Sequence, residues 1–297
     1  MKSPLCIYHG NCADGFAGAW IVRRAIPACE LHAGTYQNPP PDVRGRDVIL
    51  VDFSYNRPVL ERMAHVAGSL LIIDHHKTAL EELCDIPRVQ SVTEHTSNSS
   101  PDRSKGLELC WHAYFDLTRS GAGLAWDFFF PGVSRPPLLE RIEDWDLWRF
   151  AYPDTRAILA AVHSYPYVLD TWSRLFETDL AVLRSDGEVI ERKQHRDVQE
   201  LLRLVTRRML IGGYNVPVAN LPYTLASDAG HALAAQNEPF AGCYWDTPEG
   251  RVFSLRSTDQ GVDVSEIAKQ YGGGGHRNAS GFRISYDDAR LFEVASP

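Results

Sequence analysis

Three short apolar segments of the chain are each followed by acidic or histidine side chains. The segments are 5–8, 48–51 and 70–73, and the polar residues after them are His9, Asp14, Asp52, Asp74, His75 and His76. Such a concentration of titratable groups after buried segments is costly unless a ligand binds there. Carboxylate oxygens combined with imidazole nitrogens suit a divalent cation such as Mn²⁺, Mg²⁺, Zn²⁺ or Fe²⁺. The pattern therefore predicts a metal centre.

The elements that must position these groups are the strands of a parallel sheet. The three apolar segments predict strands, and helical spacing over 15–25 and 59–66 predicts helices between them. Alternating strands and helices indicate an α/β fold, in which ligands bind at the carboxyl ends of the strands. A single aspartate there is often only a helix cap, but all three strand ends agree. Asp52, on the middle strand in chain order, is the candidate bridge between two metals about 4 Å apart.

Composition limits the classes of partner. The chain has 297 residues, 44% apolar and 23% charged, with a net charge of −8. This charge favours small or short anionic substrates and argues against long duplex nucleic acid, which needs a basic surface. No segment approaches the roughly 18 apolar residues of a membrane span, and the N-terminus has no secretory signal pattern. Six cysteines without a CxxC pair indicate reduced thiols, so we expect a cytoplasmic protein.

The chain predicts two domains joined by a helix. We place an α/β catalytic domain at 1–178, a helical linker at 179–212 and a smaller, glycine-rich α+β domain at 213–297, because short β-prone runs begin near residue 214. The polar stretch 93–106 predicts a mobile surface insertion.

A glycine-rich run in the C-terminal domain is a candidate substrate-binding segment. Four consecutive glycines allow backbone amides to approach an anion closely, and neighbouring side chains add donors. A flexible loop remains the alternative for the glycines, as does a plain surface arginine for Arg256. The candidate residues are Gly273, Gly274, Gly275, His276, Arg256 and Ser280.

The segment Asp144–Trp145–Asp146 places two carboxylates beside aromatic residues. Such a pair could complete a metal site. The alternative is a solvated helix end with its tryptophans in the core.

These motifs together resemble the DHH family of phosphoesterases with a C-terminal DHH-associated domain. Asp74–His76 matches the motif that names the family, and His9 with Asp14–Gly15 resembles its first motif. Asp52 resembles the second motif and Asp144–Asp146 the fourth, while the glycine-rich run resembles the C-terminal domain. The motifs lie in the family's order along nearly the whole chain.

The resemblance implies metal-binding roles residue by residue. His9 would bind the first metal, and Asp14 with His75 would bind the second. Asp52 would bridge the two metals. Asp144 would complete the second metal's ligands, with Asp146 as the alternate if the register is shifted.

The resemblance also implies roles in substrate handling. His76 would contact the scissile phosphate, and Asp74 would orient a neighbouring imidazole. His276 and the glycine amides would bind the far phosphate or terminal nucleotide of the substrate.

The first motif departs from the family pattern at Cys12 or Asn11. The family has two acidic residues there, and only the position of Asp14 is acidic in this chain. A Cys12 thiolate would favour Zn²⁺ or Fe²⁺ at the first metal site, whereas a buried, non-ligating thiol would weaken that site. We otherwise expect one or two Mn²⁺ ions per chain.

The activity that the resemblance implies is metal-dependent hydrolysis of phosphodiester bonds in short oligonucleotides or dinucleotides. Two alternatives share the chemistry, namely a nucleotide phosphomonoesterase of the 3′-phosphoadenosine 5′-phosphate type and a polyphosphate hydrolase. A third alternative is a catalytically degenerate nucleotide-binding or regulatory protein, since Cys12 departs from the pattern. A homodimer is left open.

Overall fold

The apolar segments that precede the acidic and histidine residues form neighbouring parallel strands. The computed structural model describes residues 2–98, 110–289 and 292, and the chain divides into two compact units, Met1–Glu191 and Arg192–Pro297. The first unit contains β1 (Leu5–His9), α1 (Ala13–Ala25), β2 (Glu30–Gly34), β3 (Asp47–Val51), α2 (Arg57–Val66), β4 (Ser69–Asp74), α3 (Lys77–Glu82), α4 (Val92–Asn98), β5 (Trp111–Phe115), α5 (Gly121–Phe129), α6 (Pro137–Asp146), α7 (Thr155–His163) and α8 (Leu169–Glu177).

The sheet of the first unit has the strand order β2-β1-β3-β4-β5, and every neighbouring pair is parallel. The predicted α/β class is therefore confirmed. In this order the direction of winding reverses between β1 and β3, and such reversals leave a crevice at the carboxyl ends of the strands. His9 ends β1 and Asp52 follows β3, so both lie at that crevice.

The strands are buried on both faces, which explains why they read as continuous apolar runs. Ile7, Leu50 and Ile72 pack on one face with Leu60 of α2. The alternate residues of the same strands, such as Ile49, pack on the other face with α1 and α5. A sheet covered on both faces is exposed mainly at its strand ends, where the polar residues lie.

The two edge strands, β2 and β5, were not expected from the sequence. The Glu30–Gly34 strand has only one buried residue and lacks an apolar run. Trp111–Phe115 carries His112 among its aromatic residues. Edge strands have weaker apolar patterns because only one side of the strand is paired.

The predicted insertion at 93–106 is helical in the part that the structure describes. Helix α4 covers Val92–Asn98, and the rest of the stretch lies outside the described residues. The helix is two turns long, and polarity alone does not distinguish such an exposed helix from a loop.

The second unit is built on a separate mixed sheet. Helix α9 (Leu180–Val205) lies within the predicted helical linker 179–212 and crosses the boundary at residue 191, whereas 206–211 form a strand. The other elements are β6 (Thr206–Ile211), β7 (Tyr214–Asn220), α10 (Ala226–Ala234), β8 (Ala241–Thr247), β9 (Gly250–Arg256), α11 (Val264–Lys269), β10 (Gly274–His276), β11 (Ala279–Ile284) and α12 (Tyr286–Ala289). The sheet has the order β10-β11-β9-β8-β7-β6, and only β7 and β8 pair in parallel. Among the helices described in either unit, none has the length and apolar character needed to cross a membrane.

The central strand β3 provides a test of this packing. Leu50 is fully buried, so Leu50→Ala should lower the free energy of unfolding by about 2–5 kcal/mol, through lost apolar contact and a residual cavity. Urea unfolding followed by circular dichroism measures the change. The matched control is Leu117→Ala, whose side chain is 43% exposed and should cost about 0.5 kcal/mol or less. Equal losses in the two variants would contradict the assigned core.

Candidate metal centre

The loop after β3 places the Asp52 carboxylate at the strand ends. Asp52 donates its backbone N–H to the carbonyl of Ile73, at 2.9 Å, and has a positive φ of 56°, which aspartate tolerates better than most residues. Gly121, at the start of α5, packs directly against it. A Cβ on Gly121 would lie 2.4 Å from the Asp52 Cβ, so only glycine allows this approach.

Asp52 lies between two histidines. Its Oδ1 is 3.0 Å from Nε2 of His75, and its Oδ2 is 3.4 Å from Nδ1 of His9. The same His75 nitrogen lies 3.4 Å from Oδ2 of Asp146. Residues at the ends of β1, β3 and β4, at the start of α1 and at the end of α6 meet in one cluster. We call it the acidic cluster: His9, Cys12, Asp14, Asp52, Asp74, His75, His76 and Asp146.

Asp74 orients the imidazole of His76. Its Oδ1 accepts the backbone N–H groups of His75 and His76, at 2.8 and 3.2 Å, and lies 2.7 Å from Nδ1 of His76. This arrangement holds the start of the following helix and the ring at once. A carboxylate at one ring nitrogen directs the other ring nitrogen toward a ligand.

The first turn of α5 holds Asp14. The backbone N–H of Ala122 is 3.2 Å from both carboxylate oxygens of Asp14, and Ser120 caps the helix by accepting the N–H of Gly123. A helix N-terminus stabilises a negative charge. From sequence alone, Ser120–Gly123 predicts only the start of a helix. The consecutive small residues Gly121, Ala122 and Gly123 are the sequence feature that indicates another group close to the backbone at this position.

The carboxylate of Asp144, the metal ligand that the resemblance favours, is engaged by the loop after α6. The Asp144 carboxylate accepts the backbone N–H groups of Ala151 and Tyr152, at 2.8 and 3.3 Å, and the Thr155 hydroxyl, at 2.5 Å. These bonds hold the loop after α6 and occupy the carboxylate. The alternate, Asp146, instead reaches the acidic cluster, because residues two apart on a helix point about 200° apart around its axis.

Three subsets of the acidic cluster have the proximity that an ion requires. In each subset the potential ligand atoms all lie within 4.8 Å of one another. The subsets are His9, Cys12 and Asp52; Asp14, His75 and Asp146; and Asp52, Asp74 and His76. Asp52 belongs to the first and third subsets, and its Oδ1 lies 3.0 Å from Nε2 of His75, a member of the second.

The charges of the cluster are not balanced internally. Burial, reinforced by the nearby Asp52 and Asp146 carboxylates, raises the pKa of Asp14 well above its ordinary value. Burial likewise raises the pKa of Asp146. For His75, burial alone would lower the pKa, but the Asp146 and Asp52 carboxylates outweigh it and raise the pKa to about 10. For Asp52, burial alone would raise the pKa, but the hydrogen bonds and charges of His75 and His9 outweigh it and hold the pKa well below its ordinary value.

Unsatisfied oxygens show that the residues fit a divalent cation. Within the described residues, the buried Oδ2 atoms of Asp52, Asp74 and Asp146 accept no hydrogen bond. Such atoms are costly to bury unless an ion or water contacts them. Carboxylate oxygens and imidazole nitrogens suit Mn²⁺, Mg²⁺, Zn²⁺ and Fe²⁺ alike. Burial, together with the Asp52 and Asp146 charges, raises the pKa of Cys12, so its thiol becomes a ligand only if a cation displaces the proton.

The glycine-rich run of the second unit is more ordered than an open anion-binding nest. The backbone N–H groups of Gly272 and Gly273 donate to carbonyls of Lys269 and Ala268 in α11. Gly274–His276 form β10, which pairs with β11. A Cβ on Gly273 would lie 2.1 Å from the Gly281 carbonyl, and one on Gly275 would lie 2.6 Å from the Ala279 carbonyl. Close strand packing therefore explains these glycines without a ligand.

The other candidate residues of the second unit lie along the same sheet. Arg256 donates to the hydroxyls of Ser254 and Ser227, at 2.9 and 2.8 Å, which fixes its guanidinium beside α10. The buried Ser280 hydroxyl donates to the His276 carbonyl, at 2.7 Å. That bond commits the Ser280 proton to the hairpin.

Sequence comparisons identify relatives of this chain. No family model matches the sequence. An uncharacterized protein of Acanthamoeba polyphaga mimivirus is 29% identical over 98% of this chain, which covers 72% of that protein. Oligoribonuclease NrnB of Bacillus subtilis is 24% identical over 82% of this chain, and the match spans 61% of the oligoribonuclease.

A solved structure shows the same fold. The DHH domain of a member of the s1p family of ribosomal proteins superposes with a TM-score of 0.54 at 12% identity. The match covers 97% of this chain and 84% of that one, so the likeness includes both units.

The metal centre can be tested without an activity assay. Mn²⁺ at 100 times its dissociation constant should stabilise the protein by about 2.7 kcal/mol, because the ion binds only the folded cluster. Asp146→Asn should abolish most of this Mn²⁺-dependent rise in melting temperature. Asp144→Asn should instead lower stability without Mn²⁺ by about 1–3 kcal/mol and keep the rise, since that carboxylate holds a loop. The reverse pattern in differential scanning fluorimetry would contradict the assignment of Asp146.

Proposed function

This chain has the DHH-domain fold, and we propose on that premise that it is a divalent-metal-dependent phosphoesterase acting on phosphodiester bonds of short oligonucleotides or dinucleotides. The observation that carries the proposal is the acidic cluster at the strand ends. Its buried carboxylate oxygens without hydrogen bonds lie among closely spaced potential ligands, which supports a two-metal site, and such sites catalyse phosphoester hydrolysis.

The ligand assignment follows from the subsets of the cluster. His9 and Cys12 would hold one ion with Asp52, and Asp14, His75 and Asp146 would hold the other. Asp52 would be shared between the two ions, because its Oδ1 also lies 3.0 Å from Nε2 of His75. Mn²⁺ is the expected occupant, because most donors are hard oxygens and imidazoles, and Mg²⁺, Zn²⁺ and Fe²⁺ are the alternatives. When bound, the ions would supply a nucleophilic hydroxide at neutral pH and neutralise charge on the phosphoryl oxygens.

The chain's own groups would place the substrate. His76, whose ring is held by Asp74, would contact the scissile phosphate and offset negative charge that develops there. Asp52 would keep His9 and His75 in register, since its two oxygens face one histidine each. A site assembled before substrate arrives needs little reorganisation during the reaction.

We extend the proposal to the second unit through its own donors. Arg256, oriented by two serines, and His276 would bind a phosphate or a nucleotide within the second unit. Gly273, Gly274, Gly275 and Ser280 would act by shaping the β10–β11 hairpin, since several of their backbone and hydroxyl groups are already engaged.

A short nucleotide substrate has support from charge and from a relative. The net charge of −8 disfavours long polyanions that need an extended basic surface. One relative of this chain is an oligoribonuclease.

Hydrolysis of a substrate panel tests the proposal. The panel is a dinucleotide, a five-nucleotide RNA, 3′-phosphoadenosine 5′-phosphate, a cyclic dinucleotide and polyphosphate, each with Mn²⁺. We expect turnover of the first two, and Asp52→Asn should lower kcat by roughly 10³-fold or more, because it removes the shared carboxylate.

The matched control is Asp186→Asn on the exposed surface of α9, which should leave turnover unchanged. Turnover of polyphosphate or of the phosphomonoester alone would redirect the substrate assignment. No turnover with Mn²⁺, Zn²⁺ or Fe²⁺ would refute the enzyme and favour a nucleotide-binding protein with a defective first metal site at Cys12.

A further inference from the structure

An aromatic side chain that the catalytic assignments leave unused lies beside the acidic cluster. The ring centroid of Tyr36 is 5.4 Å from that of His9 and 6.2 Å from that of His76, and both pairs meet edge to face. Tyr36 is 44% exposed. The Tyr36 ring thus remains partly exposed to solvent. It contacts both His9, a candidate metal ligand, and His76, the candidate contact of the scissile phosphate.

The local backbone holds this ring in place. Residues Thr35–Asn38 form a turn in which the Asn38 N–H donates to the Thr35 carbonyl, at 3.1 Å. Gln37 has a φ of 67°, a conformation that normally favours glycine. A non-glycine residue keeps such a conformation only where the surroundings impose it. The turn therefore presents Tyr36 in one defined direction.

A buried aromatic residue supports the ring from below. The ring centroid of Phe53 lies 4.9 Å from that of Tyr36, and Phe53 is fully buried. Phe53 in turn depends on Gly34, where a Cβ would lie 2.8 Å from its Cε1 atom. Gly34 and the turn at Gln37 therefore both help to hold one exposed ring in place. A side chain that only packs against its neighbours does not require such support.

We propose that the Tyr36 ring stacks on the nucleobase of the nucleotide whose phosphate binds at the acidic cluster, an inference that rests on the proposed function. A single sugar separates the base of a nucleotide from its phosphate. The Tyr36 ring contacts His9 and His76 directly, so it is close enough to the phosphate position to meet that base. Stacking on an aromatic side chain tolerates any base, because every base has a π face. Tyr36 would therefore select nucleotides over polyphosphate without selecting sequence.

Two variants and two substrates test the contact. The variants are Tyr36→Leu, which removes the ring but keeps an apolar side chain, and Tyr36→Phe, which removes only the hydroxyl. The substrates are an RNA trinucleotide and the fully abasic trinucleotide of the same charge. Tyr36→Leu should raise KM for the RNA about 10- to 100-fold with little change in kcat, and Tyr36→Phe should match the wild type. Neither variant should change KM for the abasic substrate.

The outcomes separate this inference from the proposed function. Equal KM rises on both substrates, or an unchanged KM in Tyr36→Leu, would overturn the stacking role while hydrolysis itself stands.

If the wild type hydrolyses neither substrate, the proposed function fails. In that case the fluorescence of a 2-aminopurine trinucleotide added to the Mn²⁺-loaded protein tests the stacking role of Tyr36. Quenching that persists in Tyr36→Phe and is lost in Tyr36→Leu supports stacking; equal quenching in all proteins, or none in the wild type, contradicts it. An unchanged Mn²⁺-dependent rise in melting temperature confirms that each variant is folded.

Discussion

The rest of the first unit depends on the confinement of several carboxylates in one buried space. Asp14, Asp52 and Asp74 are nearly inaccessible to solvent, and Asp146 joins them through His75. Buried carboxylates repel one another and lose hydration, so a fold that gathers them loses stability unless a cation compensates. Burial and the neighbouring carboxylates accordingly raise the pKa values of Asp14 and Asp146. The strands and helices around the acidic cluster therefore hold its carboxylates close together despite their repulsion.

Each neighbouring element contributes to this arrangement in a different way. The parallel sheet brings the ends of β1, β3 and β4 side by side, where the winding reverses. Helix α5 directs a backbone N–H at Asp14 and lets Asp52 approach through Gly121. Asp144 holds the loop after α6, so that Asp146 can be the member of its pair that enters the cluster.

Much of the site could be read from the order of residues. The apolar runs before His9, Asp52 and Asp74 predicted strands, and parallel strands place such residues at one edge because their carboxyl ends coincide. The choice between Asp144 and Asp146 could not be made in the same way. Both lie in the last turn of α6, and only the path of the loop from 147 to 155 decides which carboxylate is consumed by backbone hydrogen bonds.

The sequence by itself determined the α/β class of the first unit, the strands that carry the acidic residues, and the kind of ligand that those residues attract. These follow from local patterns, since a short apolar run and the polar residue after it are covalently adjacent. Only the tertiary structure decided that Ala122 meets Asp14 across 108 positions, that Gly121 admits Asp52, and that Tyr36 lies against His9 and His76. Those contacts join residues far apart in the chain, and their geometry is set by how whole elements pack, which no local spacing encodes.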